Sequence, residues 1–164
     1  MKIAVTSDIH DNIWNLERAL GLINARNPQA LLFLGDFCAP FTLVQLAEGF
    51  TGPIHAVFGN NDGDQFLLTG KAQDHPNLSL YGQLGEISLG GRRVALNHYP
   101  DISERLAESG AYHAVFSGHN HRKQLEHRGN TLWANPGEIM GRFGEPSFGM
   151  YDTETHSFEH VSIE

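Results

Sequence analysis

The first third of the chain alternates between short apolar runs and segments with helical periodicity. Three apolar runs have the length of buried strands, at residues 3–5, 31–34 and 54–58. Two segments between them carry apolar side chains at helical spacing, at residues 12–27 and 41–50. Both segments end at a proline signal, Asn27-Pro28 and Gly52-Pro53. This order of strand, helix, strand, helix and strand predicts parallel pairing with right-handed crossovers.

The rest of the chain contains shorter strand-like segments that glycine separates. They lie at residues 78–81, 86–89, 92–96, 112–116, 122–127, 131–134, 149–152 and 157–163. Gly90-Gly91 and Arg128-Gly129-Asn130 predict hairpin turns, and residues 102–108 after Asp101 predict a helix. We therefore expect an α/β protein with mixed sheets, parallel in the first half and built from antiparallel hairpins in the second. Since no repeat or linker divides the sequence, residues 1–164 are interpreted as a single domain.

The charge balance narrows the classes of partner. The 164 residues include 11 Lys and Arg against 19 Asp and Glu, which gives a net charge of −8. This acidity disfavours a broad electrostatic grip on nucleic acid or on an anionic membrane, while it leaves room for a local positive site. Cys38 is the single cysteine, which excludes an internal disulfide and favours a reducing compartment. With no long apolar run and no signal-peptide pattern, the sequence predicts a cytoplasmic protein.

Five of the predicted strands are followed directly by side chains that can bind a metal ion. These side chains are Asp8, His10, Asp36, Asn60, His98, His119 and His121. In open α/β sheets, ligands bind beyond the carboxyl ends of the strands, so we expect these side chains to meet at one edge. Each motif alone is typical of an ordinary polar turn. The ordered set of five is what predicts a common site.

The donor chemistry of this set favours two metal ions. It contains two carboxylates, four imidazoles and one amide, with no thiolate. Such donors suit Mn²⁺, with Ni²⁺, Fe, Zn²⁺ or Mg²⁺ as alternatives, better than they suit a structural zinc–thiolate site. Seven ligands exceed the needs of one tetrahedral ion and fit two ions about 3.5–4 Å apart that share a carboxylate. Two divalent cations against two carboxylates leave a local positive charge, which would attract an anion.

The ordered motifs resemble those of the calcineurin-like metallophosphoesterase superfamily. They are Asp8-x-His10, Gly35-Asp36, Gly59-Asn60-x-Asp62, His98 and Gly118-His119-x-His121. The short chain and the late Asn135-Pro136-Gly137 are similar to the small YfcE-like phosphodiesterase group. The resemblance covers residues 3 to about 152. It implies a four-layer α/β sandwich of mixed β-sheets flanked by helices.

The resemblance also implies a division of the ligands between two ions. One divalent ion would be held by Asp8, His10, Asp36 and His121. The other would be held by Asp36, Asn60, His98 and His119. Asp36 would bridge the two ions, and a hydroxide between them would attack phosphorus in line with the leaving oxygen.

Three departures or additions bear on substrate and catalysis. Asn61 stands where many larger relatives have a histidine that protonates the leaving group or binds phosphate, and an amide can only form hydrogen bonds. We expect Asn61 to contact the leaving oxygen, which departs as a good anion or takes its proton from water, or from Asp62 through water. Tyr99 replaces a usual glycine after His98, and its ring either contacts substrate or covers the core. Arg142, in a glycine-rich loop, can donate to a phosphate, although an arginine in such a loop is more often only solvated.

These features together predict a binuclear-metal phosphoesterase that acts on a small phosphoester, foremost a phosphodiester with a good leaving group. Hydrolysis of nucleotides or dinucleoside polyphosphates is the alternative activity. A weakly catalytic protein-binding scaffold of the same fold is a third interpretation. The complete ligand set argues against it, because a scaffold tolerates the loss of ligands that a hydrolase must keep. A homo-oligomer is compatible with the sequence.

Overall fold

The computed structural model describes residues 1–163, which form two β-sheets and four helices. The strands are β1 (Lys2–Thr6), β2 (Ala30–Phe33), β3 (Ile54–Ala56), β4 (Leu78–Leu80), β5 (Leu84–Leu89), β6 (Arg92–Asn97), β7 (Ala114–Phe116), β8 (Lys123–Arg128), β9 (Thr131–Pro136), β10 (Ser147–Asp152) and β11 (Ser157–Ser162). The helices are α1 (Ile13–Ala25), α2 (Pro40–Gly49), α3 (Gln65–Gln73) and α4 (Pro100–Glu108). None of these helices is long and apolar enough to cross a membrane.

The strands divide into a six-stranded and a five-stranded sheet. The first sheet has the order β11-β10-β1-β2-β3-β4, in which β1 to β4 run parallel. The second has the order β5-β6-β7-β9-β8, in which β6, β7 and β9 run parallel. The parallel first half and the predicted hairpins β5–β6, β8–β9 and β10–β11 are confirmed, but the second half also contains two parallel pairs, β6–β7 and β7–β9, that were not predicted. The hairpins place β5 and β8 at the two edges, while α4 carries the chain from β6 to a parallel β7.

Alternating side chains show how the layers stack. Ile3 and Val5 of β1 pack in the apolar core between the sheets, together with Leu96 of the second sheet. Ala4, which points to the opposite face, packs in the core that holds Leu16 of α1. Strands β1 and β2 contribute side chains to both cores, and nearly all of their residues are buried. Such continuous apolar runs are typical of parallel strands that are covered on both faces.

The fourth layer is α4, which covers the outer face of the second sheet. Ala107 of this helix packs against Ala95, Val115 and Trp133. Helices α1, α2 and α3 cover the outer face of the first sheet through residues such as Leu68. The order of helix, sheet, sheet and helix confirms the expected four-layer α/β sandwich.

Two helices differ from the sequence prediction. Helix α3 was not predicted, because only Leu68 and Ala72 of its residues are buried and Gly70 weakens its periodicity. It forms behind Asp64, whose side chain accepts the Leu67 N–H at 2.9 Å and so caps its first turn. Helix α4 begins at Pro100 rather than at residue 102, since proline fits the first turn of a helix.

Candidate metal centre

The seven candidate ligands lie beyond the carboxyl ends of parallel strands in both sheets. Their positions follow β1, β2 and β3 of the first sheet and β6 and β7 of the second. Backbone contacts tie these strand ends together. The His119 N–H from the second sheet donates to an Asp8 carboxylate oxygen of the first sheet at 3.0 Å. Parallel pairing therefore brings all five loops to a single edge of the sandwich.

Glycine allows two of these loops to approach closely. Gly35, before Asp36, has a φ of +97°, and a Cβ placed there would lie 2.5 Å from the Gly59 nitrogen and 2.8 Å from His98 Nδ1. A Cβ at Gly59 would in turn collide with the Asp36 carboxylate. Gly35 and Gly59 therefore leave the space in which Asp36 and His98 meet.

Five of the seven candidate ligands have a left-handed backbone. Their φ values are 55° for Asp8, 46° for His10, 64° for Asp36, 71° for His119 and 59° for His121. This conformation is uncommon for residues other than glycine, and such strain concentrates at functional sites. The surrounding fold holds these side chains in positions that local backbone preference would not select.

One half of the cluster gathers two carboxylates and two imidazoles. His10 Nε2 lies 3.3 Å from Asp36 Oδ2 and 3.7 Å from Asp8 Oδ1. His121 Nε2 lies 3.5 Å from the same Asp8 oxygen, and its ring stacks on that of His10 at a centroid distance of 5.1 Å. The four donor side chains expected at the first ion are therefore adjacent.

The other half gathers an amide and two imidazoles. Asn60 Oδ1 lies 3.0 Å from His98 Nε2 and 2.8 Å from His119 Nδ1, and these two nitrogens are 3.3 Å apart. His98 Nε2 also lies 3.5 Å from Asp36 Oδ2. The same Asp36 oxygen is thus close to a histidine of each half, as a bridging carboxylate must be.

The unpaired and titratable groups of the cluster fit bound cations. Asp8 Oδ1 and His10 Nε2 are buried and make no hydrogen bond to another residue in the described range 1–163. A buried polar atom without a hydrogen-bond partner costs roughly 1–3 kcal/mol, which coordination to a cation would offset.

The pKa of His10 is raised by its surroundings. Burial alone would lower this pKa, but the contacts of His10 with Asp8 and Cys38 and the charge of Asp36 raise it to about 10. The pocket therefore favours positive charge at the place where a metal would lie.

The Asp36 carboxylate is kept ionised. Burial would raise the pKa of Asp36, but contact with His98 and two hydrogen bonds from Asn61 hold it well below its usual range. An ionised carboxylate is the form that coordinates a metal ion. The candidate donors are carboxylate and amide oxygens and imidazole nitrogens, without a thiolate. Such a set fits divalent ions such as Mn²⁺.

Two imidazoles are oriented by partners on the nitrogen that faces away from the cluster. His98 Nδ1 lies 2.7 Å from the Leu34 carbonyl oxygen, so it donates to this oxygen and leaves Nε2 facing Asn60 and Asp36. His121 Nδ1 lies 2.6 Å from a carboxylate oxygen of Glu138. Such partners fix the tautomer and the ring direction of a metal-binding histidine.

The role of Glu138 was not predicted from the sequence. This side chain is 1% exposed, and its second oxygen accepts the N–H groups of Phe143 and Gly144 at 2.6 and 2.7 Å. One carboxylate therefore orients His121 and shapes the loop that comes after Glu138. The feature of the sequence that could have indicated this role is the position of Glu138 directly after Asn135-Pro136-Gly137, where β9 ends.

Asn61 forms hydrogen bonds with Asp36, and its expected contact with the leaving oxygen stays a prediction. The Asn61 backbone N–H donates to Asp36 Oδ1 and its side-chain amide donates to Asp36 Oδ2, each at 2.8 Å. The expectation rested on the histidine that occupies this turn in larger relatives. An asparagine side chain is shorter and reaches the neighbouring carboxylate instead.

Asp62 accepts hydrogen bonds from the backbone of the loops around Asp36, and its expected role in proton transfer stays a prediction. One of its oxygens accepts the N–H groups of Gly59 at 2.6 Å and Asp36 at 3.1 Å, and the other accepts the Cys38 N–H at 3.0 Å. The side chain is buried, and burial raises its pKa although these three hydrogen bonds oppose the rise. Asp62 therefore joins the loops after β2 and β3 and sets the position of Asp36.

Tyr99 and Arg142 lie beside the cluster on different sides. The Tyr99 ring packs edge-on against His98 and at a tilt against His119, with centroid distances of 5.2 and 5.3 Å. Arg142 is exposed and lines a groove that also contains His10. Both side chains are therefore placed to contact a molecule bound at the cluster.

A cavity larger than the groove beside the cluster lies elsewhere. It has a volume of about 650 Å³ and is lined by residues such as Lys2, Tyr151 and Asp152, at the opposite end of β1 from Asp8. The cluster itself is a shallow, charged edge, as suits a site whose ligands are held by ions rather than by an apolar enclosure. We therefore assign the candidate site by its donor groups and not by cavity size.

Comparison with known proteins agrees with this geometry. The model of the calcineurin-like phosphoesterase superfamily domain matches residues 1–156. Phosphodiesterase MJ0936 of Methanocaldococcus jannaschii is 29% identical over 167 residues, with 100% of both chains covered. Phosphodiesterase YfcE of Escherichia coli is 28% identical over 174 residues, covering 96% of this chain and 90% of its own length. A solved structure described as a novel archaeal phosphodiesterase is 28% identical, with a TM-score of 0.91 and 99% of both chains covered. The chain therefore belongs to the calcineurin-like phosphoesterase superfamily and is a metal-dependent phosphoester hydrolase.

Proposed function

We propose that this protein is a phosphodiesterase that uses two divalent metal ions bridged by Asp36. The observation that carries the proposal is the position of Asp36 Oδ2, which lies 3.3 Å from His10 Nε2 and 3.5 Å from His98 Nε2. A single carboxylate oxygen between two imidazoles from different sheets is the arrangement that a shared ligand requires. Further donors complete the set on each side, which supports two ions over one.

The seven side chains would hold the ions and thereby build an anion site on an acidic protein. The ions would be held by Asp8, His10, Asp36 and His121 on one side and by Asp36, Asn60, His98 and His119 on the other. When bound, such ions neutralise phosphoryl charge and lower the pKa of a coordinated water. Mn²⁺ is our first choice, with Ni²⁺, Fe, Zn²⁺ and Mg²⁺ as alternatives, because the donors are oxygen and nitrogen.

The residues around the cluster favour a substrate with a good leaving group. Asn61 has no useful pKa, and its backbone N–H and side-chain amide each donate to Asp36. The oxygens of Asp62 are engaged with backbone N–H groups. Neither side chain supplies a proton to the leaving oxygen, so that oxygen departs as a stable anion or takes its proton from water. Activated phosphodiesters meet this condition, and the names of the two curated relatives support the same class.

Arg142 and Tyr99 would contact the parts of the substrate that extend beyond the ions. The Arg142 guanidinium can donate two parallel hydrogen bonds to phosphate oxygens. Tyr99 lies against His98 and His119 and limits the space on their side. The scaffold interpretation loses support, because the structure keeps all seven candidate ligands within one cluster.

The test is hydrolysis of bis(p-nitrophenyl) phosphate and of p-nitrophenyl phosphate after chelation and after return of each metal. We expect the diester to be the better substrate, activity to vanish with chelator, and Mn²⁺ to restore it. The Asp36→Ala variant should lose activity and bound metal together. Activity that survives exhaustive chelation, or a clear preference for the monoester, would reject the proposal.

A further inference from the structure

A groove beside the candidate metal centre has a composition that the reaction itself does not require. It has a volume of about 360 Å³ and lies within the size range of small-ligand sites. Its lining residues are His10, Asp11, Asn12, Trp14, Met140 and Arg142, with Gly141. Because His10 belongs both to this groove and to the metal cluster, a molecule held at the ions extends directly into the groove.

The most unusual member of the groove is Trp14. It lies in the first turn of α1, and 69% of its side chain is exposed. The second tryptophan, Trp133, is 5% exposed and packs against Arg128 at 4.9 Å from its ring centroid. A large aromatic ring gains little from lying on a helix surface in water, whereas it offers a flat face on which another ring can stack.

The groove is rigidly built. Asn12 Nδ2 donates to the Met140 carbonyl oxygen at 2.8 Å, and Asn15 Nδ2 donates to the Ile139 carbonyl oxygen at 3.0 Å. These bonds fasten the loop that carries Arg142 to the first turn of the helix that carries Trp14. Both sides of the groove are therefore held in place before a ligand arrives.

Arg142 gives the groove one group that can bind an anion, and Asp11 places a carboxylate in the same lining. One Asp11 oxygen is occupied by the Ala39 N–H at 2.9 Å and the Thr42 hydroxyl at 2.5 Å. Arg142 forms no ion pair with any residue in the described range 1–163, so its guanidinium is available to a ligand. An aromatic face beside a free guanidinium and a metal cluster suits a ring that is joined to a phosphate.

We propose that this groove binds the base of a nucleoside phosphodiester, with the base stacked on Trp14 and Arg142 donating to the ester oxygens. The inference rests on the proposed function and names the substrate class of that site. It requires the nucleoside to stay on the phosphate and to lie on the His10 side of the cluster, because a nucleoside alkoxide is a poor leaving group.

Two substrates with one leaving group test the selectivity. Thymidine 5′-(p-nitrophenyl phosphate) and ethyl p-nitrophenyl phosphate both release p-nitrophenolate, but only the first carries a base. We expect the ratio of their kcat/KM values to favour the nucleoside ester by about tenfold, as one base–aromatic stack allows. Trp14→Ala should reduce this ratio about tenfold, and the change keeps a good helix former in α1. The control Phe66→Ala, at a side chain that is 92% exposed on α3 and outside the groove, should leave the ratio unchanged.

A binding measurement separates failure of this inference from failure of the proposed function. In a Trp133→Phe protein equilibrated with Mg²⁺, Trp14 is the remaining tryptophan. Adenosine 5′-monophosphate should quench its fluorescence in a saturable way, and ribose 5-phosphate should not. Equal effects of the two probes, or a selectivity ratio that does not respond to Trp14→Ala, would overturn the groove as a base site. Base-dependent quenching in a protein that hydrolyses neither ester would support the base site and reject the phosphodiesterase.

Discussion

The His121 imidazole and the Glu138 carboxylate form a buried pair in which Nδ1 and Oε2 are 2.6 Å apart. Because Nδ1 is occupied by this carboxylate, the Nε2 atom of His121 is the one that faces Asp8, at 3.5 Å. The pair joins the loop after β9 to the loop after β7, and thus to the candidate metal centre. Glu138 therefore decides which nitrogen His121 offers to the candidate metal centre.

The first prediction concerns this pair. Glu138→Gln keeps the size of the side chain but removes the charge that supports His121. We expect Mn²⁺ affinity to fall about 10–100-fold, the usual effect of losing such a partner. Calorimetric titration of the chelated protein with Mn²⁺ measures it. The matched control is Glu145→Gln, an exposed carboxylate of the same loop that pairs with Lys123, and it should leave the affinity unchanged. Equal effects of the two substitutions would contradict the orienting role.

The second prediction concerns Asn61. Because its side-chain amide donates to Asp36, Asn61→Ala should weaken metal binding, by roughly tenfold for one lost hydrogen bond to a charged group. The dependence of kcat on the pKa of the leaving group should stay as in the unaltered protein. A series of aryl and alkyl phosphodiesters, run at saturating Mn²⁺, checks this. A steeper dependence in the variant would show that Asn61 assists the leaving oxygen.

The third prediction concerns the stability of the loops after β2 and β3. Asp62→Asn replaces one accepting oxygen by an NH₂ group, which cannot accept the backbone N–H groups that meet it. We expect unfolding free energy to fall by roughly 2–3 kcal/mol, measured by urea denaturation of the chelated protein. Asp64→Asn is the matched control, because asparagine also caps a helix well. A variant with unchanged stability but lost activity would restore the catalytic role for Asp62.

The fourth prediction separates the ring of Tyr99 from its hydroxyl. The ring contacts His98 and His119, so Tyr99→Phe should bind Mn²⁺ within about twofold of the unaltered protein, whereas Tyr99→Ala should bind it several-fold more weakly. Metal titration of the two variants side by side measures this difference. If Tyr99→Phe instead raised KM for the diester as much as Tyr99→Ala, the hydroxyl would be the substrate contact.

The sequence predicted which side chains meet at one edge because their placement obeys simple rules. Apolar runs such as the one ending before Asp36 are buried strands, and the carboxyl ends of parallel strands meet at one edge. Features that depend on long-range packing could not be predicted in this way. Helix α3 has little periodicity of its own and depends on the cap from Asp64. The parallel pairing of β6 with β7 depends on the crossover through α4.

The directions of individual polar side chains were the other feature that the sequence did not reveal. Asn61 and Asp62 lie in the expected turn, yet their hydrogen bonds point to Asp36 and to backbone N–H groups. Glu138 is distant from His121 in sequence, and nothing in the local pattern indicates that they pair. A turn predicts where such residues lie, but only the three-dimensional contacts determine which groups they serve.

Anomalous diffraction from crystals grown with Mn²⁺ tests the central claim most directly. We predict two peaks of comparable height per chain, about 3.5–4 Å apart, on either side of the Asp36 carboxylate. The Asp36→Ala protein, treated in the same way, should lose at least one of them. A single peak, or two peaks that Asp36 does not join, would contradict the account.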